Sequence, residues 1–354
     1  MNPRIIGHVT VGVILGASVF AIGSQAGAKT CPGVPVTVPD SVDCSTIVMS
    51  TSPTTPGASN GSTYTIPAGA TTFTLPAGLD PSKMTPSQMM NLSPDSFSAF
   101  KPSDVQNFQP SALTKMVASQ LGNIDPSAFA AFSGKQFASL SASAMSGISA
   151  EQIAELGASV FKSFDAKKIA SLAADAFAGI DASQIKNLAS TVFSSIKPDQ
   201  IDKMAADAFA GIKPDQLAKM KSTLFGSIDA EQMNAMATKA LKAISAGQFG
   251  KLLPDVLADL APSKFAAVAP SAIAGLKDPQ AAALNGEQMA AMTASQLKSL
   301  KPGVADQFTP EQLAGLTAGD AKAMSAAFRK ALTKDLTADE KAALPAALLT
   351  ALSK

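Results

Sequence analysis

Two apolar positions recur every eight residues from residue 85 to residue 324, about 30 times in one register. In the middle of this stretch the chain reads Lys197-Pro-Asp-Gln-Ile201-Asp-Lys-Met204, then Ala205-Ala-Asp-Ala-Phe209-Ala-Gly-Ile212. A period of eight excludes a single long helix. Eight residues turn an α-helix through about 800°, so the apolar stripe drifts by about 80° per octad. Proline inside such a helix would cost a further ~3 kcal/mol at each occurrence. The chain must therefore break and restart so that each apolar pair returns to one side.

The octad supplies the restart signals. Counting from Asp125, Ser149, Asp181, Asp229 or Ser245, the first position is often Ser, Thr or Asp, which cap helix N-termini. The second holds 12 of the 14 prolines after Met84, and proline suits the first helical position because its missing N–H has no partner there anyway. The fourth is often glutamine, as at Gln152, Gln184, Gln200, Gln216, Gln232 and Gln288, where a capping box places its side chain. Positions five and eight are apolar. From 149 to 244 cap-like octads alternate with Phe-bearing, Ala-rich ones, which predicts a helix of 11 or so residues from Pro198 to Phe209, ended near Gly211.

No octad can stand alone. Burying two apolar side chains gives roughly 3–6 kcal/mol, whereas ordering eight backbones costs about 8–16 kcal/mol. Stacking is the remaining source of stability. The expected fold is all-α: a solenoid of short helices on an 8-residue, locally 16-residue, repeat over 85–324. After Met324 the apolar residues change phase (Phe328, Leu332, Leu336, Leu344), and 325–354 reads as C-terminal capping helices.

Composition narrows the chemistry. Net charge is +1 with 16% charged residues, too little for an electrostatic grip on nucleic acid. The single histidine is His8, so once the N-terminal segment is removed no Ser-His, Cys-His or histidine-metal scheme remains. The expectation is a non-enzyme with no catalytic residue, no cofactor and no metal; a carboxylate-dependent hydrolase is the weakest alternative. The Phe and Met stripes read as core rather than a ligand groove. Lys197, Asp199, Lys213 and Asp215 read as a solvated face with acids at helix starts.

The N-terminal residues carry different signals. Residues 1–28 have Arg4, an apolar run from Val9 to Ile22 and Ala26-Gly-Ala28, the layout of a secretory signal peptide cleaved after Ala28. The alternative is an uncleaved anchor, which is the only route to a membrane here. Cys31 and Cys44, the only cysteines, would pair in an oxidising compartment. Residues 29–62 form that loop and a Ser/Thr/Pro-rich linker in which Asn60-Gly-Ser62 is a sequon for N-glycosylation. Residues 63–84, with Tyr64–Ile66 and Thr72–Leu75, suggest a short β-hairpin or β-arc.

Units such as Thr309-Pro-Glu-Gln-Leu-Ala-Gly-Leu316 and Ser149-Ala-Glu-Gln-Ile-Ala-Glu-Leu156 resemble the Ser/Thr-Pro-x-Gln-apolar repeats of microbial secreted and cell-surface proteins, over about two thirds of the chain. The resemblance implies an extracellular structural or interaction role and carries no site residues across. The expected function is a secreted or cell-surface repeat scaffold or spacer, adhesin-like or a wall component. The alternative is an extracellular binding module taking a peptide, glycan or lipid on the solenoid face. Either way the partner is an extracellular protein or glycan surface.

Overall fold

The computed structural model describes residues 28–30, 37–39 and 80–354. From residue 81 onward the described chain is helical, in short pieces that repeat regularly, and it stacks as a solenoid. Strand β1 (Ala28–Thr30) pairs antiparallel with β2 (Thr37–Pro39), with Ala28 opposite Pro39 and Thr30 opposite Thr37. The hairpin expected over 63–84 lies outside the described residues as far as 79. At the end of that segment, past both expected strands, Asp80 accepts the Ser82 N–H and Pro81–Lys83 form one 3-10 turn.

The octads from 85 to 324 each hold one helical turn or slightly more, and in most of them an extended residue stands at either end. Ser149 (φ −87°, ψ 169°) opens one octad, Ala150–Glu155 are helical, and Leu156 (φ −66°, ψ 128°) closes it. The Leu156 N–H bonds to the Ile153 carbonyl, which ties the end of the octad to its own middle. The single helix expected from Pro198 to Phe209 is corrected to two helices, Pro198–Lys203 and Ala206–Gly211. Met204 (φ −70°, ψ 133°) breaks the chain between them. Continuing the helix would carry the next apolar pair off the seam, as the 80° drift demands. The 16-residue beat is instead an alternation of helix type. In Lys197–Met204 the fifth N–H bonds to the first carbonyl (Ile201 to Lys197), the α pattern. In Ala205–Ile212 the fourth bonds to the first (Ala208 to Ala205), the 3-10 pattern.

Positions four, five and eight of the octads make the core: Val160, Phe161 and Phe164 in one, Ala208, Phe209 and Ile212 in another. All belong to one continuous cluster running from Met84 to Leu352. Hydrogen bonds between successive turns join residues 25 to 31 apart in sequence, so one turn of the superhelix holds between three and four octads. Where some of the 3-10 octads cross the turn below, the seventh residue meets the second residue of the earlier octad. A Cβ at Gly147, Gly179 or Gly211 would collide with the carbonyl of Ala118, Ala150 or Ala182 respectively. Glycine there permits close backbone approach, and Gly211 has that task in addition to ending its helix. The chain finishes with Ala326–Asp335, Ala338–Ala343 and Ala346–Leu352, and the last of these packs on Ala318–Ala323.

Candidate functional site

The most elaborate polar construction in the described chain is built from the fourth octad residue. Gln216 shows its parts. Its Oε1 accepts the Lys213 N–H at 2.8 Å, the capping bond that sequence reasoning expects. Its Nε2 donates to the Ile185 carbonyl at 3.0 Å and the Leu188 carbonyl at 2.8 Å, on the octad one turn below. The side chain is buried and its two N–H groups are both used. The same pair of carbonyls, 31 and 28 residues back, is taken by Gln120, Gln152, Gln184, Gln248, Gln280 and Gln312. With Gln216 these seven stand 32 apart in sequence and climb the superhelix as one ladder. Gln136, Gln200, Gln232 and Gln296 form a second ladder, and Gln288 stands apart from both.

These straps matter because, among the described residues, no backbone-to-backbone hydrogen bond joins one helical turn of the solenoid to the next; each such bond closes within its own octad. Two rungs of the second ladder are lysines. Lys168 donates to the Ala138 carbonyl at 3.1 Å and pairs with Asp165 at 3.3 Å; Lys264 donates to the Met236 carbonyl at 2.6 Å. Near the C-terminus Leu352 occupies the rung position, and a leucine cannot donate. Arg329 folds back to take the carbonyls of Met324 (2.6 Å) and Ala321 (3.4 Å) in its place, leaving its own Nε buried without a partner.

The remaining candidates fall as follows. The Phe and Met stripes are buried core. Lys197, Asp199, Lys213 and Asp215 are exposed. Ion pairs among the described residues are local, Lys83–Asp80, Lys168–Asp165 and Lys203–Asp202. Two capping carboxylates have lowered pKa values: the Lys168 backbone N–H, with the Lys168 ammonium beside it, holds Asp165 below its usual range, and the Ser127 hydroxyl and N–H do the same for Asp125. Among the described residues no group of His, Cys, Asp or Glu is placed to hold a metal ion, and no helix is long and apolar enough to cross a membrane. Cys31, Cys44 and Asn60, and with them the disulfide and the glycosylation sequon, lie outside the described residues. One open groove of about 680 Å³ lies between the starts of octads 277–284 and 301–308, lined by Leu276, Pro279, Pro302 and Val304 with Lys277 and Lys301 at its side.

Sequence reasoning reads glutamine as a cap and misses its second task. The signal was there: a cap alone needs no fixed long spacing, yet glutamine returns every 32 residues from Gln88 to Gln312.

Fold and polar architecture together define a helical repeat solenoid strapped by glutamine amides. No protein-family model matches the chain, and no curated protein matches it either.

Proposed function

We propose that this chain is a secreted or cell-surface repeat scaffold or spacer, adhesin-like or a wall component, that works by length and surface and performs no catalysis. The observation that carries the reading is the one-dimensional stack: positions four, five and eight of the octads are spent on the seam and the straps, and the rest face outward in a repeating pattern. Such an array gains reach with each added turn at no cost to the turns already present. With packed helices about 8–10 Å apart, eight or nine turns span on the order of 80 Å. The leader-like residues 1–28 and the Ser/Thr/Pro-rich linker support an extracellular setting.

Small-angle scattering of the protein that starts at Lys29 tests the reach. A radius of gyration above about 26 Å is expected for such a rod, and a value near 20 Å, that of a compact chain of this length, contradicts it. Mass analysis of the exported protein should find Lys29 at its N-terminus; retention of residues 1–28 speaks for an anchor. Saturable binding on a glycan or lipid array would replace the spacer reading with that of a binding module.

A further inference from the structure

The apolar seam thins at one turn. From Met89 to Ile273 the fifth residue of every octad is Met, Phe, Val, Leu or Ile. Beyond that point alanine takes the position at Ala281, Ala305 and Ala321. Helices Asp278–Ala283 and Pro302–Gln307, which carry the first two alanines, pack on each other one turn apart. The open groove lies between their first residues. Two further departures coincide there. Proline sits at the third position of octad 277–284 (Pro279) instead of the second. Leu276, on the groove, is the most exposed residue of the core at 7%.

From these coincident features we infer that the turn 277–308 is compliant at octad 301–308, where the solenoid bends and opens before it yields elsewhere. Each buried methylene that a neighbour lacks removes dispersion contacts and apolar burial, and an alanine leaves its surroundings only partly able to close. Octad 301–308 also has Val304 at the fourth position, so it sends no strap downward. The strap from Gln312 to the Ala281 and Leu284 carbonyls holds the far end of octad 277–284. Gln280, Gln288 and Gln296 fasten the first three octads of this turn to the turn below, so the yielding place is confined to octad 301–308, which is unstrapped where it lies over the start of 277–284. That octad divides the array into a long stiff segment, 85–300, and a short terminal one, 309–354. The inference rests on packing and stands whether or not the scaffold reading does.

Native-state hydrogen exchange of the full chain, read by mass spectrometry, tests it. Amides in 301–308 should exchange at least tenfold faster, after correction for intrinsic rates, than those in 197–228, whose fifth positions are Ile201, Phe209, Leu217 and Phe225. Helix Ala326–Asp335 should exchange more slowly than 301–308. Equal rates in 301–308 and 197–228 overturn the inference. So does a smooth rise toward the C-terminus, which means end fraying. Filling the seam with Ala281→Leu and Ala305→Leu should slow exchange in 301–308 and leave 197–228 unchanged; no change in 301–308 overturns it. Should the filled variant not fold, Phe209→Ala with Leu217→Ala supplies the reverse test: 205–220 should then exchange as fast as 301–308, and unaltered protection there contradicts the account.

Discussion

Lys197–Met204 and Ala205–Ile212 are adjacent, equal in length and alike in which positions they bury, yet they solve different problems. The first has Gln200 at its fourth position, an α pattern, and amide bonds to the Ile169 and Leu172 carbonyls one turn below. The second has Ala208 there, a 3-10 pattern, and no bond to another turn, but it brings Phe209 into the core and Gly211 against the turn beneath. One octad fastens turns by hydrogen bonds and the other by apolar mass and close approach. The period of eight belongs to the backbone. The fourth side chain decides which of the two tasks an octad performs.

The comparison can be broken at several points. The largest loss is expected from Phe209→Ala, which empties a fully buried site and should cost about 3–5 kcal/mol. Gln216→Leu should follow at about 2–4 kcal/mol, because it leaves the buried Leu188 carbonyl and the Lys213 N–H without their partners and takes from the Ile185 carbonyl the second of its two donors. Gln88→Leu is its control: among the described residues Gln88 makes only the capping bonds with Thr85, so about 0.5–1 kcal/mol is expected. Denaturant midpoints check both, and equal losses would mean that the inter-turn bonds contribute nothing. Gly211→Ala should destabilise by about 1–3 kcal/mol through its collision with the Ala182 carbonyl. Gly157→Ala, with open space around it and φ −56°, should be neutral or stabilising by up to about 1 kcal/mol.

Smaller effects sharpen the same contrast. Lys168→Gln restores a ladder rung and should raise the melting temperature slightly; a fall would show that the Lys168–Asp165 pair serves better than the amide. Asp165 and Asp125 have depressed folded-state pKa values. Their stabilisation is therefore complete above the ordinary carboxylate pKa of about 3.9 and is lost as pH falls through the lower folded values. A titration of stability between about pH 5 and 2 should show a shallow acid loss, reduced in Asp165→Asn.

How much of this was legible beforehand depends on where each bond partner sits. Thr309, Pro310 and Gln312 announce a helix start because a capping box is closed within four residues, and the structure has it. The fifth and eighth positions announce a seam because an octad cannot bury them alone. The break at Met204 was obscured, since the α and 3-10 patterns differ by one residue in a single hydrogen bond and Ala-rich sequence accepts both. The straps were hidden for another reason: the carbonyls that Gln216 reaches belong to residues 28 and 31 positions away, and backbone carbonyls carry no mark in a sequence. Only the regular return of glutamine betrays them. Arg329 had no such periodicity, and its role at the end of the array follows from the neighbouring carbonyls alone.

The central claim is that one turn takes between three and four octads, and a cross-link tests it most directly. The Asn234 Oδ1 accepts the Ala261 N–H at 2.9 Å across two turns of the superhelix, 27 residues apart. A chain with Asn234→Cys and Ala261→Cys should join rapidly through a short bis-maleimide, whereas one with Asn234→Cys and Ala218→Cys should not. Efficient joining of the 218–234 pair with none at 234–261 would contradict the account, because it would mean that the stack returns on itself every 16 residues.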